Sequence, residues 1–172
     1  MIAIAVRTLA LAGLIGVPAL ALADDFTDIQ QMVRNGQHAQ ALARTEQAIT
    51  AQPRDPRFRF LKGVLLADTG KAGEAIEVYT QLTQEYPELP EPYNNLAVLQ
   101  AARGDYDKAR TALETAVRVN PGYGTAFENL GDVYARLAAQ SYAKAQQLEP
   151  QNPAPGAKLT SVRQLLAPKA DK

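Results

Sequence analysis

Residues 90–121 read PEPYNNLAVLQAARGDYDKARTALETAVRVNP. One run of helix-forming residues reaches Gly104, a second begins near Tyr106, and Pro121 closes it. A glycine can adopt the left-handed backbone that stops a helix without steric penalty. A proline lacks the N–H and clashes with the preceding turn. The stretch therefore predicts two helices folded back on each other. Apolar spacing agrees, because Ala109, Leu113 and Ala116 stand at i, i+4 and i+7 on one helical face.

The same punctuation recurs along the chain. Gly36, Gly70 and Gly104 are 34 residues apart, and so are Ala41, Ala75 and Ala109, and Pro53, Pro87 and Pro121. Three residue types sharing one period mark a repeat architecture. The alanine is expected where two helices cross closely, and Ala75, Tyr79 and Leu82 continue the buried face in the preceding unit.

Phe127-x2-Leu130-Gly131-x2-Tyr134 resembles the tetratricopeptide repeat. So does Tyr93-Asn94-Asn95-Leu96-Ala97, continuing through Gly104-Asp105-Tyr106, Ala109, Ala116 and Pro121. The resemblance covers about residues 24–150 and implies an all-α fold, a right-handed superhelical stack of antiparallel helix pairs. Three full repeats are expected at about 24–55, 56–89 and 90–123, with a shortened fourth at 124–150. Residues 151–172 would form a C-terminal capping helix and tail.

Departures from the pattern carry further expectations. The leading helix of the first repeat, around Phe26 to Arg34, is polar and reads as a solvated cap. Arg59 and Lys62 stand where Tyr93 and Leu96 stand one repeat later, which suggests a rotated helix with its charges in solvent. In the fourth repeat Ala138, Tyr142, Ala145 and Pro150 keep the steps of Ala109, Leu113, Ala116 and Pro121, but five residues holding the glycine turn are missing. One continuous helix from about Thr125 to Leu148 follows, roughly 36 Å long at 1.5 Å per residue. Its distal face, with Tyr142, Ala145 and Leu148, needs a cover. Two are open to it: the stripe Leu159, Val162, Leu165 and Leu166 from the chain's own last helix, or a second copy of the chain.

By resemblance, the leading helices line a concave groove that holds an extended peptide or a partner helix. Counting along them places Arg57, Phe60, Val64 and Asp68 toward the groove, then Glu91, Asn94, Val98 and Ala102, then Thr125, Glu128, Asp132 and Arg136. Asn94 could grip a peptide backbone, since an amide both donates and accepts. Phe60, Val64 and Val98 would supply apolar contact, and Glu128 and Asp132 would favour a basic ligand. Each also has a structural role open to it: Asn94 tying adjacent turns, Phe60 in the core, the carboxylates on a solvated face. The basic cluster Arg54, Arg57, Arg59 and Lys62 reads first as a solvated surface.

Composition narrows the functions further. Eighteen basic residues balance 18 acidic ones, so no global field gathers nucleic acid or anionic lipid. There is no cysteine and one histidine, which leaves no thiolate chemistry and no multi-histidine metal site. His38 lies in a turn with no acid or nucleophile at a recognisable spacing. No enzyme activity, cofactor, metal or nucleic acid is therefore expected, and a membrane only by way of a partner. Residues 1–23, MIAIAVRTLALAGLIGVPALALA, place Arg7 before an apolar run and end in a small-x-small tripeptide. That is the pattern of a secretory signal cleaved near Ala23, with a periplasmic or secreted product. The sequence thus reads as a protein- or peptide-binding scaffold of the cell envelope. Its alternative is a self-associating module that dimerises through the long last helix, by way of Tyr142, Leu148, Leu159 and Val162.

Overall fold

A computed structural model describes residues 20–167. The expected signal segment, residues 1–19 of it, lies outside the described residues. Eight helices and no strand are found among the described residues: α1 (Leu20–Arg34), α2 (His38–Ala51), α3 (Pro56–Asp68), α4 (Ala72–Glu85), α5 (Pro90–Ala102), α6 (Tyr106–Val119), α7 (Gly124–Leu148) and α8 (Pro153–Leu166). Each helix packs against the next, and the leading helices α5 and α7 also touch. The result is a series of antiparallel pairs stacked side by side.

The turns have the chemistry that the repeat demands. Gly36, Gly70 and Gly104 all have positive φ, at 72°, 79° and 83°, so each hairpin closes through a left-handed residue. Between pairs, α3, α5 and α8 each begin with a proline in the first turn, where its missing N–H is not needed. Asp55 and Asn152 cap α3 and α8 by accepting from the amides of Arg57 and Ala154, each at 3.0 Å.

Three apolar clusters run along the stack. The first joins Ile29, Ala41, Ala48, Phe58, Leu61 and Leu65; the second Leu66, Ala75, Tyr79, Leu82 and Leu96; the third is centred on Ala97, Ala109, Leu113 and Leu130. Small residues set the helix spacing. A Cβ on Gly63 would stand 2.6 Å from the buried Tyr79 ring, so that ring of α4 lies directly on the α3 backbone there.

Three expectations change. α1 is not a solvated cap: Ile29 is fully buried and Phe26 meets Phe58 edge-on at 5.7 Å, because Phe26, Ile29 and Val33 fall on one stripe. Nor does α3 turn its charges to water. Arg59 pairs with Glu85 at 2.8 Å and lies over the Tyr86 ring, and Lys62 pairs with Glu46 at 2.9 Å. Their stems cover apolar surface while their heads reach carboxylates on the flanking helices. In α8, Leu159 is buried and Val162 and Leu166 are half-buried, but Leu165 is exposed.

The fourth repeat is fused as expected, with α7 running unbroken for 25 residues. α8 packs back on α7 as a further leading helix, and Pro155 and Leu159 are buried as Pro92 and Leu96 are in α5. Of the candidate cap residues, Tyr142 is half-buried with Lys158 over its ring at 5.6 Å, while Leu148 is 68% exposed at the end of α7.

Candidate functional site

The leading helices α1, α3, α5 and α7 bring their exposed faces into a row of three hollows. The first, about 300 Å³, lies between α1 and α3 and is lined by Phe26, Val33, Phe60 and Val64. The second, about 190 Å³, is lined by Val64, Asp68, Tyr79, Asn95 and Val98. The third, about 380 Å³, is lined by Val98, Ala102, Asn129, Asp132 and Arg136. Val64 belongs to the first and second, and Val98 to the second and third. The hollows therefore form one track across the stack.

The floor of this track is apolar and its polar groups converge from successive helices. Val98 is 47% exposed, a large aliphatic side chain left in water at the centre of the track. Asp68 and Asp132 supply carboxylates, and Arg136 lies over the Tyr106 ring at 5.7 Å. Phe60 packs its ring against Tyr79 at 5.7 Å and also faces the first hollow, so it serves both core and track.

Behind the track runs a relay of side-chain hydrogen bonds. Asn129 donates to the Asn94 carbonyl at 2.8 Å, Asn94 donates to the Asn95 carbonyl at 3.2 Å, and Asn95 donates to the Tyr79 hydroxyl at 3.1 Å. The relay links the second, third and fourth repeats. Burial pushes the Tyr79 phenol up to about 12, outweighing the opposing effect of the Asn95 hydrogen bond, and nearby Asp68 adds to the rise.

Sequence counting placed most of the track and misplaced part of it. Phe60, Val64, Asp68, Val98, Ala102, Asp132 and Arg136 are brought together. Asn94 is not available to a ligand: it is 5% exposed and its amide is spent inside the relay. Glu128 is exposed and is not among the residues lining the three hollows. Arg57 is turned to its own cap, with its guanidinium on Asp55 at 2.6 Å and over the Phe26 ring at 5.3 Å. That guanidinium and the Arg57 amide hold the Asp55 carboxyl below its usual range. The basic cluster is accordingly divided among Asp55, Glu85 and Glu46 rather than pooled. Asn95 and Asn129, one residue past the counted positions Asn94 and Glu128, line the track instead; their spacing of 34 is the signal that could have found them.

Among the described residues no cluster of acidic, histidine or cysteine side chains could hold a metal, and no helix is long and apolar enough to cross a membrane.

Two tetratricopeptide-repeat family models match the chain, one over residues 33–90 and the other over residues 66–130, so that together they span more than half of it. The chain belongs to the tetratricopeptide repeat family. Its fold is similar to that of a thermophilic TPR protein of Thermus thermophilus, with a TM-score of 0.62 at 22% identity, over 85% of this chain and 83% of that one. It is also similar to the first TPR domain of Spaghetti (RPAP3), solved bound to an HSP90 peptide, with a TM-score of 0.64 at 14% identity, over 72% of this chain and 98% of that one. In sequence it is 30% identical over 103 residues to a probable biofilm formation methyltransferase, WspC, of Pseudomonas aeruginosa, a match that covers 60% of this chain and 24% of the relative. The chain spans about a quarter or less of the length of the curated relatives it matches. The fold commonly mediates binding of proteins or peptides, and its family is in general non-enzymatic.

Proposed function

We propose that this chain is a protein- or peptide-binding scaffold of the cell envelope whose ligand lies along the track from Phe60 to Arg136. The observation that carries this reading is the continuity of the three hollows through Val64 and Val98. An extended peptide would run along the track across successive leading helices. Apolar side chains would seat against Phe60, Val64 and Val98, and a lysine or arginine would meet Asp68 or Asp132. The bound HSP90 peptide of the RPAP3 domain supports peptide capture on this fold. The track carries the carboxylates of Asp68 and Asp132 beside the guanidiniums of Arg34 and Arg136, so a basic side chain would be received locally at a carboxylate rather than drawn by a net charge. Its row of stacked helices is formed before the ligand arrives, which avoids an ordering cost. The signal-like pattern of residues 1–23 supports the reading of export to the periplasm or outside the cell. No catalytic step is assigned to it.

Selection of a random peptide library on the purified chain tests the reading. Enriched peptides are expected to place apolar residues around a lysine or arginine, and to lose at least about tenfold in affinity, about 1.4 kcal/mol, on a Val98→Arg/Asp132→Lys variant of unchanged helicity. Val98 and Asp132 are exposed, so neither substitution disturbs the core. No enrichment over the variant, or peptides that bind both equally, would remove the track as the site.

A further inference from the structure

In the third repeat, Ala97 of α5 and Ala109 of α6 are fully buried in one cluster, and Tyr93 packs against the same cluster with Leu113. This is how a leading helix meets its own trailing helix. The counterparts in the fourth repeat are Gly131 for Ala97, Phe127 for Tyr93, Ala138 for Ala109, Tyr142 for Leu113 and Ala145 for Ala116. Here both partners lie on one straight helix. Gly131 and Ala138 are seven residues apart, two turns and roughly 10 Å along the same face, and cannot touch each other.

Both halves of this broken hairpin are left open. Gly131 is exposed, with nothing within 4 Å of where its Cβ would stand. Phe127 is 49% and Tyr134 47% exposed. Ala138, Tyr142 and Ala145 are only half-buried, beneath α8 on one side, whereas Ala109, Leu113 and Ala116 are buried from both. The proximal half of α7 lacks a trailing helix and the distal half lacks a leading one. The surface that supplies both, in reverse order, is α7 of another copy.

We propose that two copies of the chain pair through antiparallel α7 helices about a two-fold axis between Tyr134 and Ala135. Each Gly131 then receives the other copy's Ala138, and each Phe127 the other copy's Tyr142, so both missing hairpin contacts form at once. The interface is isologous, as closed symmetry requires. Its stripe, Phe127, Gly131, Tyr134, Ala138, Tyr142 and Ala145, carries no charge of its own. Glu114 accepts from the Tyr134 hydroxyl at 3.0 Å, Lys158 lies over the Tyr142 ring, and Glu128 and Lys144 stand to either side. A mid-helix glycine costs about 1 kcal/mol relative to alanine, and within one copy nothing packs against Gly131 to require it. The close backbone approach of a second helix does. Phe127 and Tyr134 are about half exposed and Tyr142 less so, so the rings of two copies contribute on the order of 400–500 Å², well short of the ~1,200 Å² of a standard stable interface, and the pairing is weak. The dimer is therefore concentration-dependent.

The absence of cysteine makes the test direct. In a Gly131→Cys/Ala138→Cys variant the two thiols of one helix are too far apart to bridge, since a disulfide needs Cα atoms within about 7 Å. Oxidation is expected to give a covalent dimer on a non-reducing gel, and either single variant is expected to stay monomeric, because like positions in the pair are also about 10 Å apart. No dimer, or single variants that cross-link as readily as the double, would overturn the pairing. Sedimentation equilibrium provides a second arm, at roughly micromolar to millimolar concentrations. Gly131→Leu has room in one copy and should keep its helicity while weakening association at least tenfold. A monomer throughout, or association unchanged by Gly131→Leu, would contradict the proposal and leave the stripe to a different protein.

Discussion

The third and fourth repeats put equivalent residues to different ends. In the third, Gly104 turns the chain so that Ala97 and Ala109 close on each other and exclude water. In the fourth, the loss of five residues removes the turn, and along a single helix the equivalent Gly131 is exposed and Ala138 only half-buried. Packing positions of a repeat become more exposed when the connection changes, although their small or apolar character is kept. What a side chain does in this fold depends on whether its partner can reach it.

The largest expected effect separates the two regions by burial. Leu113→Ala should cost about 2–5 kcal/mol in a urea titration, as for a fully buried leucine. Its counterpart Tyr142→Ala, measured in dilute solution, should cost well under half as much, because one side of that ring is in water. Equal costs would mean that the fourth repeat is as closed as the third. The glycines give the next contrast. Gly63→Ala drives a Cβ to 2.6 Å from the Tyr79 ring and should destabilise by about 1–3 kcal/mol. Gly131→Ala meets nothing and should raise stability by up to about 1 kcal/mol. A loss at Gly131 in dilute solution would show that a helix of the same copy already packs there.

Smaller effects sharpen how the repeats are tied together. Asn94→Ala removes the middle of the relay and leaves Asn129 and Asn95 without their partner, so about 1–2 kcal/mol should be lost. A loss of peptide binding with no change in stability would instead return Asn94 to the ligand. At neutral pH the ionisation of Tyr79 contributes nothing. Its folded value of about 12 lies above the ordinary 10, so the unfolded chain ionises first and stability falls as pH rises from about 10 to about 12. In Tyr79→Phe that component of the alkaline slope should be absent.

Much of this organisation can be read from spacing. Gly36, Gly70 and Gly104 announce left-handed turns because few other residues tolerate that backbone. The fused α7 follows from counting residues between Tyr134 and Ala138. Faces were harder than turns. Each residue rotates a helix by about 100°, so the step from Asn94 to Asn95 moves along the relay from a buried side chain to one that also lines the track. The partners of Arg59 and Lys62 were out of reach for another reason. Glu85 and Glu46 are 26 and 16 residues away, and only the stacking of helices brings them together. The burial of Ile29 likewise comes from α2 and α3 closing over a helix that intersperses its apolar residues with polar ones from Asp24 to Arg34.

One distance decides whether the fourth repeat is fused. With spin labels on Thr125→Cys and Gln147→Cys, diluted in excess unlabelled chain so that only pairs within one molecule are read, an unbroken α7 should give roughly 33 Å at 1.5 Å per residue. A separation near 10–15 Å, the spacing of packed helices, would mean that the helix folds into a hairpin after all, and the open stripe with its two-fold pairing would go with it.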